Sequence, residues 1–135
     1  MDLQLTITRT ERSKDSYSII EMWRITNNDI SLQKSYSGRL SGRKPQSQKN
    51  AISEEEIKTI HTFLENNNLL KNVLSPKYNQ FHVPYNATHV TLKISQSPGE
   101  FFLLDLYNLT KQINKNPDFK KINSLKRILK QYLTK

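Results

Sequence analysis

The chain has 135 residues, 21 Lys+Arg against 12 Asp+Glu for a formal charge of +9, and no cysteine. That length suits one domain, and the missing thiols exclude disulfide scaffolds, thiolate metal sites and cysteine catalysis. The longest apolar run, 101–104, is far short of the roughly 20 residues of a membrane-spanning helix. Leu, Ile, Val and Phe supply 36 residues, about 27%, above the roughly 20% below which a chain tends to stay disordered. One core is therefore within reach.

Residues 1–13 alternate from the outset and lack the basic-then-apolar layout of a signal peptide, so a cytoplasmic setting is expected. Leu3, Leu5 and Ile7 alternate with Gln4, Thr6 and Thr8 as a half-buried strand. After a polar connection, 17–25 reads as a second strand with Tyr17, Ile19, Trp23 and Ile25 on one face and Ile20 and Met22 on the other. Apolar groups on both faces suggest a central position, and Glu21, interrupting the first face, is expected near a rim. Asn27, Asn28 and Asp29 supply a turn, because Asn and Asp tolerate positive φ. Ile30, Leu32 and Tyr36 form a third strand and complete a meander.

Residues 37–52, with Gly38, Gly42 and Pro45, read as a long loop. A helix follows: Ser53 caps it, Glu56 completes a capping box, Ile52 and Ile57 form a staple, and Glu54–Glu56 complement the helix dipole. Ile57, Ile60, Phe63 and Leu64 share one arc of about 120°. Asn66, Asn67 and Asn68 end the helix, and Leu69 and Leu70 return to the core. The stretch 71–88 reads as a second long loop, broken by Pro76 and Pro84 and carrying Tyr78, Phe81 and Tyr85. These rings form either a lid over the sheet end or a recognition patch. The prolines restrict the loop and favour the lid.

Val90, Leu92 and Ile94 make a fourth strand, Pro98 and Gly99 a tight turn, and 101–107 a fifth strand, apolar on both faces and expected inside the sheet. A short helical turn near 110–114 precedes Asn116 and Pro117, which open a last helix. Ile122, Leu125, Ile128, Leu129, Tyr132 and Leu133 fill one arc of that helix, with Lys120, Arg127 and Lys130 opposite. The order β-β-β-α-β-β-α predicts an α+β domain: a five-stranded, mainly antiparallel sheet with two helices on one face. The expected core is Leu5, Ile7, Ile19, Trp23, Ile60, Leu64, Leu92, Leu103, Leu125 and Leu129.

Chemistry is sparse. His61, His82 and His89 lack metal-ligand spacing, and His61 reads as a helix-edge side chain, so no metal or cofactor is expected. The three consecutive glutamates diverge by about 100° each and do not form a catalytic pair. Asp105 sits in an apolar strand and must be hydrogen-bonded, paired or at the sheet rim, with Lys93 a candidate partner. No phosphate loop and no nucleophile elbow is present. Two glycosylation acceptor patterns, at 86–88 and 108–110, matter only on a secretory route.

The charge is uneven: 110–135 holds eight basic groups and one acid, with a smaller focus at Arg39, Arg43, Lys44 and Lys49. The many Lys, Asn and Ile residues also fit an A/T-rich coding sequence, which would inflate lysine without a partner. Absent catalytic groups, the leading expectation is a small non-enzymatic module that binds a protein partner, acidic in character, as inhibitors, immunity proteins and adaptors do. Nucleic-acid binding through Arg39, Arg43, Lys44, Lys49, Lys120, Arg127 and Lys130 is the alternative. The third reading is a small enzyme or ligand pocket built from Tyr78, Phe81, His82, Tyr85 and His89. No membrane partner is expected.

Overall fold

A computed structural model describes residues 3–12, 17–26, 28–74 and 86–135. The aromatic segment with Tyr78, Phe81, His82 and Tyr85 lies outside the described residues. The elements are β1 (Gln4–Arg12), β2 (Tyr17–Ile25), β3 (Asp29–Gly38), β4 (Gln46–Ala51), α1 (Glu54–Asn66), β5 (Ala87–Ser97), β6 (Glu100–Leu109), α2 (Thr110–Ile113) and α3 (Pro117–Leu133). All six strands lie in one sheet of order β4-β3-β2-β1-β5-β6, and each neighbouring pair is antiparallel. The molecule is a small α+β domain, and none of its described helices is long and apolar enough to cross a membrane.

Register explains the core. One face carries the row Ile30, Ile25, Leu5, Ile94 and Phe102, then the row Leu32, Trp23, Ile7, Leu92 and Leu104. Both rows lie under Ile57, Ile60 and Leu64 of α1 and Phe119, Ile122, Leu125, Leu129 and Leu133 of α3, forming one buried cluster. On the opposite face β1 and β5 are polar, with Thr6, Thr8, Thr10 and Thr91, while β2 and β6 add Ile20, Met22, Phe101 and Leu103. Alternation in β1 and β5 thus reports a sheet covered on one side.

Local signals hold at the helix ends. Ser53 accepts from the Glu56 N–H at 3.2 Å while Glu56 accepts from the Ser53 N–H at 3.0 Å. At the other end of α1, Asn68 takes φ 54°, the Leu69 N–H reaches the Leu64 carbonyl at 2.9 Å and the Asn68 N–H reaches Glu65 at 3.1 Å. This pair of hydrogen bonds satisfies two terminal carbonyls and returns Leu69, fully buried, to the core. Asn116 accepts from the N–H groups of Asp118 and Phe119 behind Pro117. Gly99 at φ 87° supplies the left-handed residue of the β5–β6 turn.

Four expectations need correcting. The loop predicted over 37–52 holds strand β4 at Gln46–Ala51. Its sequence, QSQKNA, has no apolar period because β4 is an edge strand exposed on both faces and held by backbone pairing to β3. The sheet therefore has six strands. The 101–107 segment is not internal: β6 is the other edge, closed in part by a parallel bridge between Val73 and Leu104 and by Asn72, which accepts from the Leu103 N–H at 2.8 Å. In β6 the buried residues are Leu104 and Leu106, not Leu103, since two apolar faces leave the register ambiguous. Ile19 is half-buried, two residues beyond the last strand position that the helices cover.

These depths differ in cost. Ile60→Ala should destabilise the domain by about 2–5 kcal/mol, while Ile19→Ala should cost about 1 kcal/mol or less. Urea unfolding of both variants checks the assignment.

Candidate functional site: a cationic cleft beside the last helix

The apolar rows of the covered face end abruptly. Two residues beyond Leu32, Trp23 and Ile7, the next row across β3, β2 and β1 is Lys34, Glu21 and Arg9. Alternating signs on neighbouring strands attract at cross-strand distance. Helix α3 meets this row with Lys126, whose Nζ lies 2.7 Å from Glu21 Oε1. The Trp23 indole N–H donates to the same oxygen at 3.0 Å. Both ionic side chains are well shielded, 13% exposed for Lys126 and 16% for Glu21.

Burial alone would push the Glu21 carboxyl up. The charge and hydrogen bond of Lys126, the Trp23 N–H and the nearby Lys34 outweigh it and hold the group below the ordinary glutamate value. Burial also lowers Lys126, and although Glu21 opposes this, Arg9 and Lys34 add to it, leaving the ammonium below the ordinary lysine value. Attraction therefore governs the carboxylate, whereas desolvation and neighbouring cations govern the amine.

Along this row and toward β4, a cleft of about 600 Å³ opens between α3 and the strands. Five cations line it, Arg9, Lys34, Lys126, Arg127 and Lys130, against the single carboxylate of Glu21. Trp23, Leu32 and Leu133 give it apolar wall, and Gln46, Gln48, Asn123 and Thr134 give it hydrogen-bonding rim. A smaller hollow of about 150 Å³ shares Arg9, Glu21 and Lys34 and adds Glu11 and Ile19. Arg9 is tied to Glu11 at 3.2 Å, yet its Nε is buried without a hydrogen-bond partner. Among the described residues, Arg127 and Lys130 make no ion pair, so the cleft keeps a net positive field. Concave, low-dielectric walls concentrate such a field.

The basic residues singled out from the sequence divide. Arg127 and Lys130 enter the cleft; Lys120 is exposed nearer the start of α3 and does not line it. Arg43 lies over the Tyr36 ring, 5.6 Å from its centroid, and Tyr36 follows Lys34 on the same sheet face. Lys44 is exposed in the β3–β4 turn, as is Arg39, which has an interaction of its own. Lys49 sits on β4 facing the other side of the sheet, 3.5 Å from Asp29.

Sequence reading missed Glu21, Lys126, Lys34 and Arg9 as a group. A glutamate in an apolar strand face and a lysine at the margin of an apolar helix arc were the available signals.

Elsewhere, Asp105 is bonded to His89 at 2.5 Å, not to Lys93, and His89 packs edge-on against Tyr107 with centroids 5.5 Å apart. This group lies on the helix-free face. His61 forms an ion-pair contact with Glu65 one turn on, at 2.9 Å. No cluster of three or more metal-ligating side chains occurs among the described residues. No protein-family model matches the chain, and no curated protein matches it in sequence.

Because Glu21 is held deprotonated in the fold, it adds stability above its unfolded value, and this is lost as the pH falls through its folded one. Stability should therefore decline from about pH 4.3 downward. Glu21→Gln should lower stability at neutral pH by about 2 kcal/mol, because Lys126 keeps its desolvation without a counter-charge, and should flatten that acid decline. Chemical unfolding of both proteins across the acid range gives the two slopes.

Proposed function

We propose that the protein is a small binding module that takes an acidic segment of a protein partner into the cleft beside α3. The observation that carries this reading is the excess of cations in a concave site with an apolar wall, two of which, Arg127 and Lys130, make no ion pair among the described residues. Acidic side chains would complete those charges while an apolar neighbour covered Trp23 and Leu32. Inhibitors, immunity proteins and adaptors act through contacts of this kind, without chemistry of their own.

A nucleic-acid footprint is less well supported. It needs the basic loop and the last helix to present one surface, whereas Lys49 faces away and is paired with Asp29, and Lys120 stands outside the cleft.

The only tryptophan of the chain lines the cleft and reports on its occupancy. Titration with a short peptide of Asp, Glu and Leu should shift Trp23 emission saturably, and the affinity should fall with ionic strength. Arg127→Gln with Lys130→Gln should weaken binding about tenfold, equivalent to ~1.4 kcal/mol, and Lys120→Gln should leave it within about twofold. Equal binding by the double variant and the parent would overturn the reading. An oligonucleotide that binds more tightly than the peptide, and loses affinity in the double variant, would transfer the site to nucleic acid.

A further inference from the structure

We propose that a second site, on the opposite face of the sheet at the β5–β6 hairpin, binds a small amphiphilic anion: a carboxylate with an aryl or alkyl body. Three observations converge there. Phe101 leaves 68% of its surface in water, while Leu104 and Leu106 farther along the same strand are buried. At the foot of Phe101 lies a hollow of about 270 Å³, whose exposed lining is mainly apolar. That is room for about nine waters at roughly 30 Å³ each, enough for a compact organic acid and too little for a folded element. Lys93 lines the hollow, beside Leu103 on β6 and Thr6 on β1, and makes no ion pair among the described residues.

The polar groups suit the same ligand. Asn72 uses its Oδ1 to accept the Leu103 N–H, which leaves its amide NH₂ as a donor at the hollow. Lys93 and the Asn72 amide offer charge and hydrogen bonds to one carboxylate, and Phe101 with Leu103 covers the apolar body. A single cation fits a monoanion better than a polyanion, which distinguishes this site from the cleft. Since the two lie on opposite faces of the sheet, this inference does not rest on the reading of the cleft.

The test uses phenylbutyrate and its uncharged amide, titrated into the ¹⁵N-labelled full chain. Phenylbutyrate should produce saturable amide shifts at Lys93, Phe101 and Leu103. Lys93→Gln should weaken it about fivefold, and Phe101→Ala about tenfold. The uncharged amide should bind the parent about fivefold more weakly than the acid. The cleft variant with Arg127→Gln and Lys130→Gln should bind phenylbutyrate as the parent does. Because Lys93 and Phe101 are exposed, unchanged spectra of the free variants establish that they fold. Absence of saturable shifts at the hairpin, or equal binding of acid and amide, would overturn the proposal. So would retention of full affinity in Lys93→Gln, or loss of it in the cleft variant.

Discussion

The arrangement of this domain turns on one carboxylate. Glu21 lies on the covered face of the sheet, where its strand neighbours on that face are Trp23 and Ile19. A shielded carboxylate needs a partner, since leaving it unpaired costs several kcal/mol. Lys126 provides one from α3, and so fixes where that helix passes over the strands. Two other ties agree with this placement. Lys71 holds Asp118 at 3.1 Å near the start of α3, and the Asn50 amide donates to the Tyr132 and Leu133 carbonyls at its end. The last tie also satisfies helix-terminal acceptors that have no partner within the helix.

Helical cover consequently stops at the charged row. Sheet-side positions before it are apolar and buried or partly buried, whereas Ile19 and Tyr36 after it on β2 and β3 are only half-buried. A cleft results because the helix ends its contact against charged side chains that must stay partly hydrated. The same desolvation that makes the Glu21–Lys126 pair demanding leaves Arg127 and Lys130, one and four positions on, beside bare strands. Structural pairing and surplus charge thus arise from one helix face.

The two faces of the sheet differ in kind. The cleft joins many cations to a small apolar wall, which suits a ligand bearing several negative charges. The hairpin hollow joins one cation to aromatic surface, which suits a ligand with one charge and an apolar body. Charge count relative to apolar area, more than charge alone, separates the two chemistries. The overall +9 of the chain does not describe either site.

Much of the fold follows from local chemistry written in the chain. Alternation in β1 and β5, the capping box at Ser53, Pro117 behind Asn116, and Pro98-Gly99 depend on residues within a few positions of each other, so they are legible in sequence. Strand β4 is not, because an exposed edge strand is held by backbone hydrogen bonds that any polar residues can make. The register of β6 is not, because apolar groups on both faces remove the period that would choose between Leu103 and Leu104. The site is least legible of all. Arg9, Glu21, Lys34 and Lys126 come from four elements, and although Glu21 interrupts an apolar face, nothing in its spacing names its partners. Only cross-strand register and the passage of α3 bring them together, since Coulombic pairing acts across space and leaves no spacing in the chain.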